Sequence, residues 1–385
     1  MNAAAARPFA HAHQSGADWR VVLKTCGDTL AAQLADGAAR PPLGLFYVTE
    51  PFAAHVGDIA ATLKQRLGVP LWCGAVGLGV LAEGREYYDE GALSVLLVDA
   101  PANSIAPLAT VANKDRALSV ALSDWAADHG PVLAMVHADP RNGETDTLIR
   151  TLADGTTAVG FVVGGLTPAA EIAVQVCDTP VAGGLSGALL GAEVPVAVAL
   201  SQGCLPIGPY RTVTAAQRAI IMELDGRPAL DALKADAGDI LTRDLRRIAG
   251  YIHVGLPVEG SDTGAYTVRN LMGLDPRSGA IAVGADLNPG DRLMFVRRDP
   301  ASARKDFEQR LAELKARIAG KAVRGAHFVS CVARGRNMFG ADNGEVAMIH
   351  DALGRVPLTG FFANGEICGN QLYGYTGVLT VFLDR

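Results

Sequence analysis

Val356-Pro357-Leu358-Thr359-Gly360-Phe361-Phe362-Ala363-Asn364-Gly365-Glu366-Ile367, near the C-terminal end, decides the fold class. Its apolar, β-favouring run stops abruptly at Asn364-Gly365, as a strand does on delivering its end to a turn. Upstream, Arg334-Gly335-Arg336-Asn337 follows a second such run. Downstream, Leu372-Tyr373-Gly374-Tyr375-Thr376-Gly377 precedes a closing strand predicted over 378–383. Helices are predicted at 302–318 and 346–353, strands at 327–332 and 358–362. This mixture is an α+β pattern of mixed and antiparallel sheets flanked by helices. Any one of these turns, taken singly, also reads as an ordinary tight turn.

The same order stands earlier in the chain. A strand ending at Asp99 precedes a helix capped by Asn113 and reaching about 129, a strand at 132–136 and a short helix at 144–152. A strand ending in Gly160-Phe161-Val162-Val163-Gly164-Gly165 follows. Two hundred residues on, Asp299 and Gly360 hold the corresponding places. With 44 glycines in 385 residues the glycine spacing carries little weight, and the shared order of elements is the stronger sign of a repeat. It predicts two pseudo-duplicated units, roughly 21–200 and 250–385.

The first unit opens with a predicted strand at 43–48, a helix at 55–67 stopped by Gly68, and strands at 70–76 and 92–98. Antiparallel strands are expected at 172–177, 185–190 and 194–200. Ser201-Gln202-Gly203-Cys204-Leu205-Pro206-Ile207-Gly208-Pro209 is expected to continue neither strand nor helix. A strand at 219–224, a helix opened by Pro228, a charged helix at 243–248 and short strands at 251–254, 266–270, 280–283 and 293–297 complete the reading. The expected domain organisation is a flexible tail over 1–20, an N-terminal domain over 21–235 and a C-terminal domain over 236–385.

Composition narrows the function classes. Hydrophobic residues make up 49% and charged ones 19%, so the chain can bury a sizeable core. A net charge of −6 and a pI near 5.8, without a basic stripe, argue against nucleic acid as a partner. The apolar runs are strand-sized, short of the ~20 residues a membrane helix needs. Without a signal-peptide apolar region, the cytoplasm is the expected location. Six cysteines without a C-x-x-C pair read as reduced, mostly buried thiols. No metal-ligand motif is present. His11 and His13 fall in the expected tail and read as solvated.

No G-x-S-x-G, P-loop or dinucleotide fingerprint stands in its required context, and neither Cys204 nor Cys368 has a base beside it. Catalytic residues are therefore expected to be absent and the chain is read as not an enzyme, with an enzyme acting on a small polar metabolite as one alternative. Glu366 can accept hydrogen bonds from a ligand ammonium, and Arg334 and Arg336 can clamp a carboxylate. The bland reading pairs these charges with one another across turns. Strand ends carrying Arg334, Arg336, Asn364, Glu366 and Tyr373, with Gln202 and Cys204, are expected to converge on one small-ligand pocket between the domains. No output module is visible, so a sensor built this way would act through a separate partner.

Several stretches resemble one family. Ser201 to Pro209, then Val213-Thr214 and Glu223-Leu224-Asp225-Gly226-Arg227-Pro228-Ala229-Leu230, are similar to the end of an N-terminal FIST domain. Phe295-Val296-Arg297-Arg298-Asp299, Ser330-Cys331-Val332-Ala333-Arg334-Gly335, Gly360 to Ile367 and Tyr373-Gly374-Tyr375-Thr376 resemble its C-terminal partner. Tyr373 departs from the pattern, since many relatives carry histidine there. The resemblance implies a sensory, small-ligand-binding module of prokaryotic signalling, with amino acids or related metabolites as ligands. A second implied reading is a haem-binding nitric-oxide sensor that regulates a histidine kinase. For haem an axial ligand is needed, with His55, His129, His137, His253, His327 and His350 as candidates.

Overall fold

Leu43–Thr49 is buried at every position, as a strand covered on both faces must be. The helix Val56–Leu67 supplies one cover. Val56, Ile59, Ala60, Leu63 and Leu67 recur at helical spacing on its buried side, and Gly68 ends it in the left-handed conformation with its N–H on the Lys64 carbonyl. This computed structural model describes residues 7–34, 40–101, 103–113, 120–130, 132–154, 159–168, 175–238, 250–258, 266–340 and 343–385.

The α+β class is borne out, and one order of elements occurs three times. In the first repeat it runs Ala10–Ser15, Trp19–Gln33, Leu43–Thr49, Val56–Leu67, Leu71–Gly77, the hairpin Val80–Ala82/Arg85–Tyr87, and Ala92–Val98. In the second it runs Ile105–Val111, Val120–His129, Val132–Ala138, Thr145–Asp154, Val159–Leu166, the hairpin Gln175–Cys177/Thr179–Val181, and Leu185–Leu190. The third begins with Val196–Gln202. After a long insertion it resumes with Pro300–Arg317, Val323–Cys331, Gly344–Leu353, Leu358–Ala363, the hairpin Glu366–Cys368/Gln371–Tyr373, and Thr376–Leu383.

Each repeat builds a six-stranded sheet around two parallel strands joined by a helical crossover, with the last strand antiparallel beside the first of them. The hairpins are exchanged in a ring. The first repeat's pairs with Leu358–Ala363, the second's with Leu71–Gly77 and the third's with Val159–Leu166. Registers match across the three. Gly74, Gly164 and Gly360 lie opposite Phe46, Val136 and Phe328. A Cβ on these glycines would stand 2.0, 1.8 and 1.8 Å from the facing carbonyl oxygen, so no larger residue fits. The counterpart of Gly360 is thus Gly164, four positions beyond the Gly160 of the sequence echo.

The insertion forms its own unit. Its antiparallel strands Arg292–Arg298, Arg211–Gln217, Ile220–Leu224, Ile281–Val283, Tyr266–Leu274 and Ile252–Pro257 pair in succession, and the last returns to the first, closing a ring. The helix Ala229–Ala237 packs Leu230 and Leu233 into its core. By contacts the chain divides into one unit of Met1–Ser201, Phe307–Leu372 and Thr376–Arg385, and a second of Gln202–Asp306 with Tyr373–Tyr375. These units interleave along the chain, which a linear cut at 235/236 does not express.

Two expectations are corrected. The segment 10–15 is a strand paired with Ala92–Val98, not a flexible tail. His11 Nε2 meets Glu83 at 2.5 Å and His13 Nδ1 meets the Tyr87 hydroxyl at 2.6 Å, so neither ring is simply solvated. The run from Ser201 to Pro209 holds the end of one strand and the whole of Cys204–Pro206. Pro206 is tolerated because that strand lies at a sheet edge, where a missing N–H breaks no ladder. The charged helix expected at 243–248, and the first residues of the strand expected at 172–177, lie outside the described residues.

Candidate functional site

Val323–Cys331 is almost wholly buried, and beyond Cys331 the chain turns tightly, with the Arg334 N–H on the Cys331 carbonyl at 2.8 Å. Gly335 takes φ +30°, and a Cβ there would meet the Tyr88 hydroxyl at 2.4 Å, so only glycine suits the turn. The turn drives Arg334 inward, where it is fully buried. Its Nε donates to Glu345 Oε1 at 2.9 Å, and Nη2 reaches the same oxygen at 2.9 Å. The guanidinium lies 4.8 Å over the Phe339 ring and 5.5 Å over Phe307. Its remaining contacts, to the Ser201 carbonyl and hydroxyl, are longer at 3.3–3.4 Å.

Glu345 is also fully buried, and Ser330 Oγ and the Gly335 amide donate to its other oxygen. It opens the helix Gly344–Leu353. The N–H groups of Glu345 and Val346 donate to Glu86, at 2.9 and 3.2 Å, an anion at a helix N-terminus. Burial first, then the charge of Glu345, pushes the Glu86 carboxyl up to about 7. Its other oxygen accepts the Tyr88 hydroxyl.

Glu366 opens its hairpin fully buried. One carboxylate oxygen accepts the Thr376 N–H at 3.0 Å and hydroxyl at 2.7 Å, the other accepts the Gly365 N–H at 3.2 Å, and the Cys331 thiol also donates. Burial outweighs these bonds and pushes the carboxyl up to about 7. A Cβ on Gly377, next to Thr376, would lie 3.3 Å from Arg334 Nη2, so the arginine and the acid border the start of one strand. They do not pair with each other.

The exchange of hairpins identifies what stands at the Glu366 position elsewhere. Glu366 faces Gly165, Gln175 faces Ala75 and Val80 faces Phe361, in matching registers. Gln175 is equally buried, donating to the Gly184 carbonyl at 2.8 Å and accepting from Ser186 Oγ at 2.7 Å. The fold is thus satisfied there by an amide or a valine, and a carboxyl occupies the place only once.

The other expected site residues are placed differently. Arg336 is on the surface, paired with Asp89 and lying 4.9 Å over the Tyr88 ring. Asn364 is exposed. Gln202, Cys204 and Tyr373 belong to the second unit. There the Gln202 N–H donates to Asp306 at 2.8 Å and its side chain to the Tyr266 carbonyl at 3.3 Å, while the Tyr266 hydroxyl donates to the Cys204 carbonyl at 2.5 Å. Cys204 and Tyr373 are buried. Glu345, Glu86, Ser201 and Thr376 were not among the expected site residues. Three cavities, of about 570, 740 and 570 Å³, are lined by other residues.

A second polar cluster lies among the strands of the first unit. The Tyr47 hydroxyl meets His137 Nε2 at 2.9 Å and His327 Nε2 at 2.6 Å, all three side chains buried. Burial holds both imidazoles neutral, down to about 3, so one donates to the hydroxyl and the other accepts from it. The Nε2 atoms of both rings are thus engaged by Tyr47. His129 is similarly held by Glu193 at 2.7 Å, and His55 is stacked on Trp19. Tyr47→Phe should strand a buried imidazole nitrogen on each side and cost about 1–3 kcal/mol, read by urea unfolding.

The residues 42–227 match the family model of the FIST N domain, and 229–369 match that of the FIST C domain. The chain belongs to the FIST family. The uncharacterized protein Rv0628c of Mycobacterium tuberculosis is 32% identical over 367 residues, covering 91% of this chain and 93% of that protein. The uncharacterized protein Mb0898c of Mycobacterium bovis is 30% identical over 374 residues, covering 92% and 95%. FIST domains are associated with signal transduction and small-ligand sensing. Among the described residues no helix is long and apolar enough to cross a membrane.

Proposed function

We propose that this FIST protein is a cytoplasmic sensor of a small zwitterionic metabolite, an amino acid or a relative of one, received at Glu366 and Arg334. One observation carries the reading. The ionisable pair contacts the chain at three of the four points where it leaves or re-enters the first unit. Arg334 touches Ser201, the last residue before one crossing, and lies over Phe307, the first after the return. Glu366 holds Thr376, the first residue after the other return. A charge bound here therefore acts on the chain segments that join the two units, which is what coupling binding to a conformational output requires.

The chemistry fits a zwitterion. A buried carboxyl near half-ionisation at neutral pH gains from an ammonium partner, and the long Arg334–Ser201 contacts are those a ligand carboxylate would replace. Entry then displaces Ser201 from the guanidinium. Signalling passes to a separate partner, for which a histidine kinase is the class implied by the family.

Small molecules released from the purified protein by denaturation, analysed by mass spectrometry, test the reading. A recovered amine-bearing acid is expected. Recovery of only apolar or purely anionic compounds would overturn it.

A further inference from the structure

Cys73 and Cys177 stand directly opposite each other in an antiparallel ladder, on the strands Leu71–Gly77 and Gln175–Cys177. Directly opposed residues of such a pair share one face, with Cβ atoms about 4.5–5.5 Å apart. Their Cα atoms then fall inside the range a disulfide spans. They come from different repeats, because the second repeat's hairpin is the one exchanged onto the first sheet. All six cysteines are free thiols, and Cys177 is the one that is not fully buried. Its Sγ points at the Gly187 carbonyl, 3.5 Å away.

We infer that Cys73 and Cys177 form a dithiol site that hydroperoxides oxidise to a cross-strand disulfide. Cys177 is the attacking thiol. It is the accessible partner, and the Cys73 thiol beside it lowers its thiol from the ordinary value, against the burial and the Asp178 carboxylate that oppose ionisation. Lys64 is held at the site by Asp178, 3.0 Å away and next in sequence to Cys177. The Cys177 thiolate attacks a peroxide oxygen. An S–O bond forms, the O–O bond breaks, and the departing hydroxide takes a solvent proton to leave as water when the oxidant is hydrogen peroxide. The Cys73 sulfur then attacks Cys177 Sγ. The S–S bond forms, the S–O bond breaks, and the sulfenic hydroxyl leaves as water with the Cys73 proton. Two thiols are oxidised and one peroxide is reduced to two waters.

The ordinary reading of the pair is two packed thiols, and peroxide distinguishes the cases. Wild-type protein is treated with stoichiometric hydrogen peroxide, denatured, alkylated and mapped by mass spectrometry. The expected result is a Cys73–Cys177 link, with the other four cysteines alkylated and the link lost on adding dithiothreitol. Cys73→Ser should instead accumulate a Cys177 sulfenic acid that dimedone traps, in at least tenfold excess over wild type. Cys177→Ser should leave Cys73 unoxidised under the same dose. Wild type that gives no link, or as much dimedone adduct on Cys177 as the Cys73→Ser variant, would overturn the proposal.

Discussion

Arg334→Met should destabilise the protein by about 3–5 kcal/mol, because it leaves Glu345 as an uncompensated charge in a fully buried place. The loss exceeds what the removed contacts themselves contribute. A buried pair roughly breaks even against apolar residues, whereas half of one does not. Methionine keeps the stem's packing between Phe339 and Phe307, so the loss reports charge and not a cavity. The double variant Arg334→Met/Glu345→Gln should recover most of it, since no bare charge remains. Chemical unfolding of the three proteins at one pH checks this. A single variant within about 1 kcal/mol of wild type would show that the pair is solvated, contrary to its burial.

The second large effect concerns pH. Glu366 and Glu86 both titrate near 7 in the folded chain, against an ordinary carboxyl value of 4.5. A raised folded value means that the native state holds the proton more tightly than the unfolded state does. The stability so gained is complete below about 4.5 and is lost as pH rises to about 7. It amounts to about 3 kcal/mol for each group. These two acids together make the unfolding free energy fall between pH 5 and pH 8, a fall that the neutral buried His137 and His327 offset because they favour folding more as pH rises towards 6.5. Glu366→Gln should remove roughly half of that fall, since Gln175 shows that an amide satisfies the matching position. Urea titrations at the two pH values measure it, and an unchanged slope in the variant would mean that Glu366 is ionised throughout. A ligand ammonium that neutralises Glu366 should stabilise the protein more at pH 8 than at pH 5.

Much of the frame was legible because burial writes itself into composition. The runs 43–49, 92–98 and 358–363 are apolar at all but one or two positions, and Gly68 stops its helix as expected. The three exchanged hairpins were not legible as such. Their strands are three residues long, too short for periodicity, and their partners lie in other repeats. The same limit split the site. Glu366 and Arg334 announced themselves as charges beside glycine turns. Glu345 reads as an exposed first-turn acid unless the Cys331–Arg334 turn folds over it. Glu86 reaches its helix N-terminus across 259 residues of sequence. Arg336 and Asn364 share those polar turns but point outward, since neighbours in a turn diverge by direction while sequence records only adjacency.

The central claim is that Glu366 recognises the ammonium of a bound zwitterion, and isothermal titration of the recovered ligand into wild type and Glu366→Gln tests it most directly. A lost charge partner on a desolvated group costs about 2–5 kcal/mol, so the variant should bind more than tenfold more weakly with its circular dichroism spectrum unchanged. Equal affinity in a folded variant would contradict the claim.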